Sequence, residues 1–172
     1  MKAKMPKNIV LIGFMGVGKG TIARELSAKS GLYAVDCDDL IESLENRSIK
    51  NIFEKSGEEY FRKLEKKTAI WLEKNVKNTI ISTGGGFYKV KNLNSIGTVI
   101  YLQSSFDAIF ERILHHPNAK RKLEKRPLLK DLKKAQTIFN ERVKSYEKCA
   151  DIVINVENKT PKDVAKEILK HF

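Results

Sequence analysis

The sequence predicts an α/β fold in which helices cover both faces of a central five-stranded parallel sheet. Two observations carry that expectation. Five short apolar, β-branched runs alternate with helical segments, the pattern of strands buried on both faces and joined by crossover helices. Three glycine-rich or acidic stretches, at residues 13–18, 36–38 and 84–86, directly follow three of those runs. Ligands of such sheets bind beyond the carboxyl ends of the strands, so the three stretches are expected to meet at one site.

The elements follow in order. Residues 8–12, N-I-V-L-I, have strand length and lead straight into the first glycine stretch. Over 19–30, Ile22, Ala23 and Leu26 recur at helical spacing, and Gly31 supplies a stop. Residues 33–35 form a second strand ending in D-C-D at 36–38. Helical spacing resumes at Leu40, Ile41 and Leu44, and again over 58–73, where Phe61, Leu64, Thr68 and Leu72 share a face. Strands are expected at 79–82 and 98–102, then a helix over 106–114. Residues 115–129 break the pattern with two prolines and with Lys120, Arg121, Lys122, Lys125 and Arg126. A helix over 132–146, a strand at 152–155 and a last helix from 161 complete the chain.

A chain of 172 residues suits one domain with a sizeable core, here taken as residues 1–172. Apolar residues at 41% and charged residues at 31% exclude a disordered chain. The longest apolar runs are far too short to cross a bilayer, and no signal-peptide core follows the basic residues 1–7. Cys37 and Cys149 are too isolated for a disulfide framework or a zinc site, so both are expected as free thiols in a reducing cytoplasm. The net charge of +12 admits nucleic acid, an anionic membrane or small polyanions as partners. Its lysines and arginines are spread along the chain, without an aromatic-interleaved basic tract, so a merely solubilising surface explains the charge equally well.

Residues 13–21 read G-F-M-G-V-G-K-G-T. A phosphate-binding loop has the form G-x-x-x-x-G-K-[ST]. Gly13, Gly18 and Lys19 fit, but Gly20 stands at the hydroxyl position and Thr21 comes one residue late. Glycines at 13, 16 and 18 let successive N–H groups point at one anion, and the helix opening at Lys19 adds its partial positive charge. ATP is the expected ligand, with Lys19 reaching its β- and γ-phosphates. At Gly20 a water is expected to take the absent hydroxyl's place on Mg²⁺, Asp36 helping to hold the hydrated ion and Thr21 bonding further back, at the α-phosphate.

Several spaced motifs agree beyond this loop: D-C-D at 36–38, F-R-K-L-E at 61–65, S-T-G-G-G at 82–86, R-P-L-L at 126–129 and N-E-R-V-K-S-Y at 140–146. Together they resemble the shikimate kinase family from near the start of the chain to its end. The resemblance implies a three-layer P-loop kinase fold and Mg-ATP-dependent phosphorylation of the 3-hydroxyl of shikimate, on the way to the aromatic amino acids. It implies that Gly13, Met15, Gly16, Val17, Gly18, Lys19, Gly20 and Thr21 hold ATP, with Asp36 assisting Mg²⁺ through water. It gives Asp38 the substrate hydroxyls and the attacking oxygen, and it gives Arg62 and Arg142 the carboxylate. Gly84, Gly85 and Gly86 would lie against the ring, Phe53 and Phe61 would wall the pocket, and Glu65 would fix Arg62. Arg126 would swing onto the transferring phosphate from a lid at about 115–130, and a substrate-binding helical region would span about 38–73. The variable length of such lids leaves Arg112 without an assigned role. A cytoplasmic monomer is implied, with shikimate and ATP as its partners and neither nucleic acid nor membrane.

Each residue has a plainer reading. Arg62 could simply pair with Glu58 or Glu65 along a helix. Asp38 could be an N-cap. The triple glycine could be a turn, the lid a solvated loop, Arg142 a surface residue, and Cys37 small filler whose thiolate the flanking carboxylates disfavour. G-K-G-T also suits a nucleoside monophosphate kinase, but no D-G-F-P-R-type segment accompanies it. A gluconate kinase and a P-loop metabolite sensor or RNA-binding protein are further alternatives; F-R-x-x-E with T-G-G-G favours shikimate over gluconate.

Overall fold

The computed structural model describes residues 7–125 and 127–172. Strand β1 (Asn8–Ile12) leads to α1 (Lys19–Ser30), β2 (Tyr33–Asp36), α2 (Cys37–Glu45) and α3 (Ile49–Asn75). Next come β3 (Thr79–Ser82), a 3₁₀ turn (Phe87–Lys89), α4 (Leu93–Ile96), β4 (Gly97–Gln103), α5 (Phe106–Leu114) and α6 (Ala119–Glu124). A second 3₁₀ turn (Pro127–Lys130), α7 (Leu132–Cys149), β5 (Ile152–Asn155) and α8 (Pro161–Leu169) close the chain.

All five strands are parallel, in the order β2-β3-β1-β4-β5. Every residue of β1 is buried, as expected of a central strand covered on both faces. The order matters for the site. Because β3 lies between β1 and β2, with Ser82 in register with both Leu11 and Asp36, the three glycine or acidic stretches leave neighbouring strand ends. At the opposite end Asn8 is buried but satisfied: its Nδ2 donates to Val76 O and Ile96 O, and its Oδ1 accepts from Thr79 N. That side chain ties β1 to the approaches of both neighbours.

A second, smaller apolar cluster stands apart from the main core. Ile41 of α2 packs there with Ile52, Phe61 and Leu64 of α3. It gives the region over 38–73 a core of its own.

Several boundaries differ from the sequence reading. The helix expected over 58–73 extends back to Ile49, across a break at Gly57 with φ 81° and ψ 170°. Ser48 caps it by accepting from Asn51 N, and burial of Ile52 holds the added turns. Residues 115–129 contain α6, a six-residue helix with no buried residue and so no apolar periodicity to betray it. The helix expected to stop at 146 continues to Cys149. Among the described residues no helix is long and apolar enough to cross a membrane.

Candidate active site

The loop after β1 is built by its glycines. Gly18 sits at the N-cap of α1 with φ 103°, a left-handed conformation that side chains with a Cβ avoid. A Cβ at Gly16 would run into Ile113 Cδ1 at 2.5 Å, so α5 packs directly against the loop. Lys19 is only 8% exposed, and its ammonium donates to Gly13 O at 2.7 Å and Phe14 O at 3.0 Å. The cation therefore lies folded along its own loop, held where phosphate oxygens would approach the N-terminus of α1.

A cleft of about 590 Å³ opens over this loop, and Lys19, Gly20, Thr21, Asp36, Asp38 and Gly84 share its lining. Asp36, rather than Asp38, is the N-cap of α2: its Oδ1 accepts from Asp38 N at 2.9 Å and Asp39 N at 3.4 Å. Asp38 is thereby released from the capping role its sequence position suggested. Its Oδ1 is buried and has no hydrogen-bond partner among the described residues. Burial pushes its pKa up to about 7, with Asp36 and Glu65 adding to the effect and Lys19 opposing it.

The triple glycine lies among four charged side chains. A Cβ at Gly84 would stand 3.0 Å from Asp38 Oδ1 and 3.5 Å from Glu65 Oε1, the latter also buried without a partner. One at Gly85 would be 3.4 Å from both Arg142 Nη1 and Met15 N, and one at Gly86 would collide with the Arg62 guanidinium. The loop is thus bare because carboxylates, guanidinium groups and the phosphate loop all approach it. Tyr146 OH donates to Gly85 O at 2.5 Å and Arg142 Nη1 to the same oxygen at 3.3 Å, which fixes the loop from the side of α7. Burial pushes the Tyr146 phenol up, so it stays a donor.

Both ion pairs that helical spacing predicts for Arg62 are present. Its Nη2 lies 3.0 Å from Glu58 Oε1 and its Nη1 2.5 Å from Glu65 Oε2. Glu65 is 2% exposed; burial raises its pKa and Arg62 opposes that rise. Arg62 borders a smaller cavity of about 250 Å³ with Glu65, Lys66, Lys89 and Val90. Phe61 is buried and Phe53 is 37% exposed; their rings meet at 4.7 Å, outside the lining of the main cleft. Gly13 and Val17 lie buried behind the loop surface, and Arg126 lies outside the described residues. Cys37 is fully buried filler, its thiol pushed up first by burial and then by Asp36 and Asp38.

At its far end the cleft is lined by Arg112, Val156, Lys159 and Pro161. Arg112 donates to Val17 O at 2.7 Å and Val156 O at 3.3 Å, joining the loop to the segment after β5. No signal in the sequence marked Lys159 or Pro161, which reach the cleft only because β5 is the edge strand beside β4.

The residues fit a nucleotide with a divalent ion. The glycine cradle and Lys19 suit phosphates. Asp36 Oδ2 has no hydrogen bond among the described residues and borders the same cleft. Among those residues no group of three or more His, Cys, Asp or Glu could hold a metal. Mg²⁺ is bound through one or two carboxylates, waters and substrate phosphates, and Asp36 offers one such carboxylate.

A parallel sheet with a phosphate loop after its central strand and a charged pocket beside that loop defines a P-loop kinase. The family model described as "Shikimate kinase" matches residues 15–172. The shikimate kinase of Helicobacter hepaticus is 40% identical over 164 residues, covering 95% of both chains. That of Sulfurihydrogenibium is 40% identical over 168 residues, covering 95% of this chain and 96% of its own. Among solved structures, shikimate kinase from Acinetobacter baumannii in complex with shikimate superposes with a TM-score of 0.86 at 30% identity, covering 98% of this chain and 93% of that one. The Aquifex aeolicus enzyme gives 0.76 at 38% identity, covering 95% and 94%. The chain belongs to the shikimate kinase family.

Proposed function

We propose that the chain transfers the γ-phosphoryl group of ATP to the 3-hydroxyl of shikimate, giving shikimate 3-phosphate for aromatic biosynthesis. The observation that carries the residue assignment is the convergence on the triple glycine: Asp38 at Gly84, Arg142 at Gly85 and Arg62 at Gly86, beside the phosphate loop. A cyclic polyol carboxylate needs a carboxylate facing its hydroxyls and guanidinium groups facing its acid, and both lie against the triple glycine.

Phosphoryl transfer is mainly positioning and charge neutralisation. Backbone N–H groups of the loop and Lys19 hold the phosphates, and Thr21 completes the α-phosphate side. Arg62 and Arg142 take the carboxylate, which points the ring hydroxyls at Asp38. Asp38 orients the attacking oxygen and accepts its proton. Asp36 would hold, through water, the Mg²⁺ that accompanies ATP, and that ion would supply charge neutralisation to the phosphates. Phe53 and Phe61 wall the pocket, and Phe61, tilted at 41° against Phe53, also belongs to the second apolar cluster that sets α2 against α3.

We take residues 1–172 as one domain with a substrate-binding region at about 38–73 and a lid at about 115–130 that carries Arg126 to the transferring phosphate. The separate cluster under α2 and α3 supports the first, and His116 and Lys122 on the cleft wall support the second. The same reading makes the enzyme a cytoplasmic monomer, with both cysteines as free thiols. Light scattering at assay concentrations checks the monomer. The function is tested by ATP turnover with shikimate, AMP and gluconate offered in parallel. Turnover with shikimate alone is expected; turnover with AMP or gluconate instead would overturn the assignment.

A further inference from the structure

Arg24 lines the cleft but has no part in the scheme above. It lies one helical turn after Gly20, and long helical side chains point back over the preceding turn. A Cβ built at Gly20 meets one atom within 4 Å, Arg24 Nη1, at 3.7 Å. Nη2 donates to Thr21 Oγ1 at 3.3 Å, which keeps the guanidinium over the first turn of α1. Among the described residues no carboxylate pairs with it, and that single bond leaves most of its five donors unused. The position where a phosphate loop usually carries a metal-binding hydroxyl is therefore bordered by an arginine fork, a group suited to phosphate oxygens.

We propose that Arg24 contacts the nucleotide phosphates across the open Gly20 position, so that nucleotide binding in this chain leans less on the divalent ion. The inference rests on the nucleotide-binding reading above. A planar guanidinium can neutralise phosphate charge without a metal bridge, and glycine at 20 places no side chain between it and the cleft. Thr21 keeps its hydroxyl proton for the α-phosphate, because in its bond with Arg24 it is the acceptor.

The test is equilibrium binding of a fluorescent methylanthraniloyl ADP to the wild type, R24Q, R24K and G20S, each in Mg²⁺ and in EDTA. In EDTA, R24Q should bind about tenfold more weakly than wild type, the loss expected of one charge-assisted phosphate contact. In Mg²⁺ its loss should be about threefold or less. R24K, which keeps the charge, should stay within about threefold of wild type in both buffers. G20S should bind more tightly in Mg²⁺ with little change in EDTA. Equal affinities of R24Q and wild type in EDTA would overturn the proposal. So would equal losses with and without Mg²⁺, which would mark Arg24 as a structural residue. If wild type fails to bind in either buffer while the fold is intact, the nucleotide reading falls and this inference falls with it.

Discussion

Asp38→Asn should stabilise the ligand-free protein above neutral pH while removing its activity. Asp38 is buried among Asp36, Glu65 and Glu42, with Lys19 the opposing charge, and its pKa rises from 3.8 to about 7. The folded state therefore binds a proton that the unfolded chain gives up between those values, and stability falls as pH rises through that window. Each unit is about 1.36 kcal/mol, so the cost approaches about 4 kcal/mol above pH 7. Asparagine is nearly isosteric and neutral, and it leaves the backbone N–H that Asp36 caps untouched. The assay is urea unfolding of both proteins in EDTA without nucleotide, from pH 5 to pH 8. The stability gap in favour of Asn should widen by up to about 1.4 kcal/mol per unit to pH 7 and then level off. For a chain of this size the plateau corresponds to roughly 10 °C in Tm. Over the same series kcat should fall about 10²–10⁴-fold, the usual contribution of a positioned base. A gap independent of pH would refute the reasoning, because it would mean that Asp38 is ionised in the folded protein throughout the range.

Three further outcomes are expected. Gly86→Ala has a permissive backbone, φ −105° and ψ −1°, but its methyl would displace the Arg62 guanidinium; KM for shikimate should rise at least about tenfold with a stability change under about 1 kcal/mol, read from steady-state kinetics and unfolding together. Gly20→Ser places a Cβ in ordinary contact with Arg24 Nη1 at 3.7 Å; the Mg²⁺ concentration for half-maximal activity should fall, and an unchanged titration would exclude a weakened metal site at Gly20. Ile52→Ala empties part of the small cluster beneath α2 and α3; it should cost about 2–5 kcal/mol and raise KM for shikimate more than KM for ATP, since Asp38 and Arg62 stand on those two helices.

What the sequence revealed was what is local. The strand N-I-V-L-I, the glycine loop after it and the stop at Gly31 are each contiguous, and each appears where its residues predict. The order of the strands, by contrast, depends on pairings between distant segments, yet it is what makes D-C-D and T-G-G-G neighbours. The turns before Gly57 lay outside the helix expected over 58–73; burial of Ile52 holds them up to the break at that glycine. Helix α6 has no buried residue, so no pattern could announce it. Tyr146 closes the N-E-R-V-K-S-Y motif, but nothing local points to its partner, since its bond to Gly85 O spans 61 residues. Arg112, Lys159 and Pro161 are ordinary residues made notable only by the cleft they line.

The buried carboxylate atoms at Gly84 suggest why this pocket is polar at all. Asp38 Oδ1 and Glu65 Oε1 are both buried, and neither has a hydrogen-bond partner among the described residues. Such groups cost stability in a ligand-free protein, about 1–3 kcal/mol each. An apolar lining would be more stable, but it would discriminate weakly between a hydroxyl-bearing ring and a smooth one. Acceptors that a donor-bearing ring would satisfy turn that cost into selectivity: a ring without hydroxyls would leave Asp38 Oδ1 and Glu65 Oε1 without donors, while Glu65 Oε2 keeps its pair with Arg62. The same logic explains the bare glycines. A methyl at Gly84 would press on both carboxylates and one at Gly86 on the arginine, so the loop has to lack side chains for these groups to face a ligand. The raised pKa of Asp38 and the open backbone of the triple glycine are thus two consequences of one arrangement, in which charge is brought out of water beside the phosphate loop.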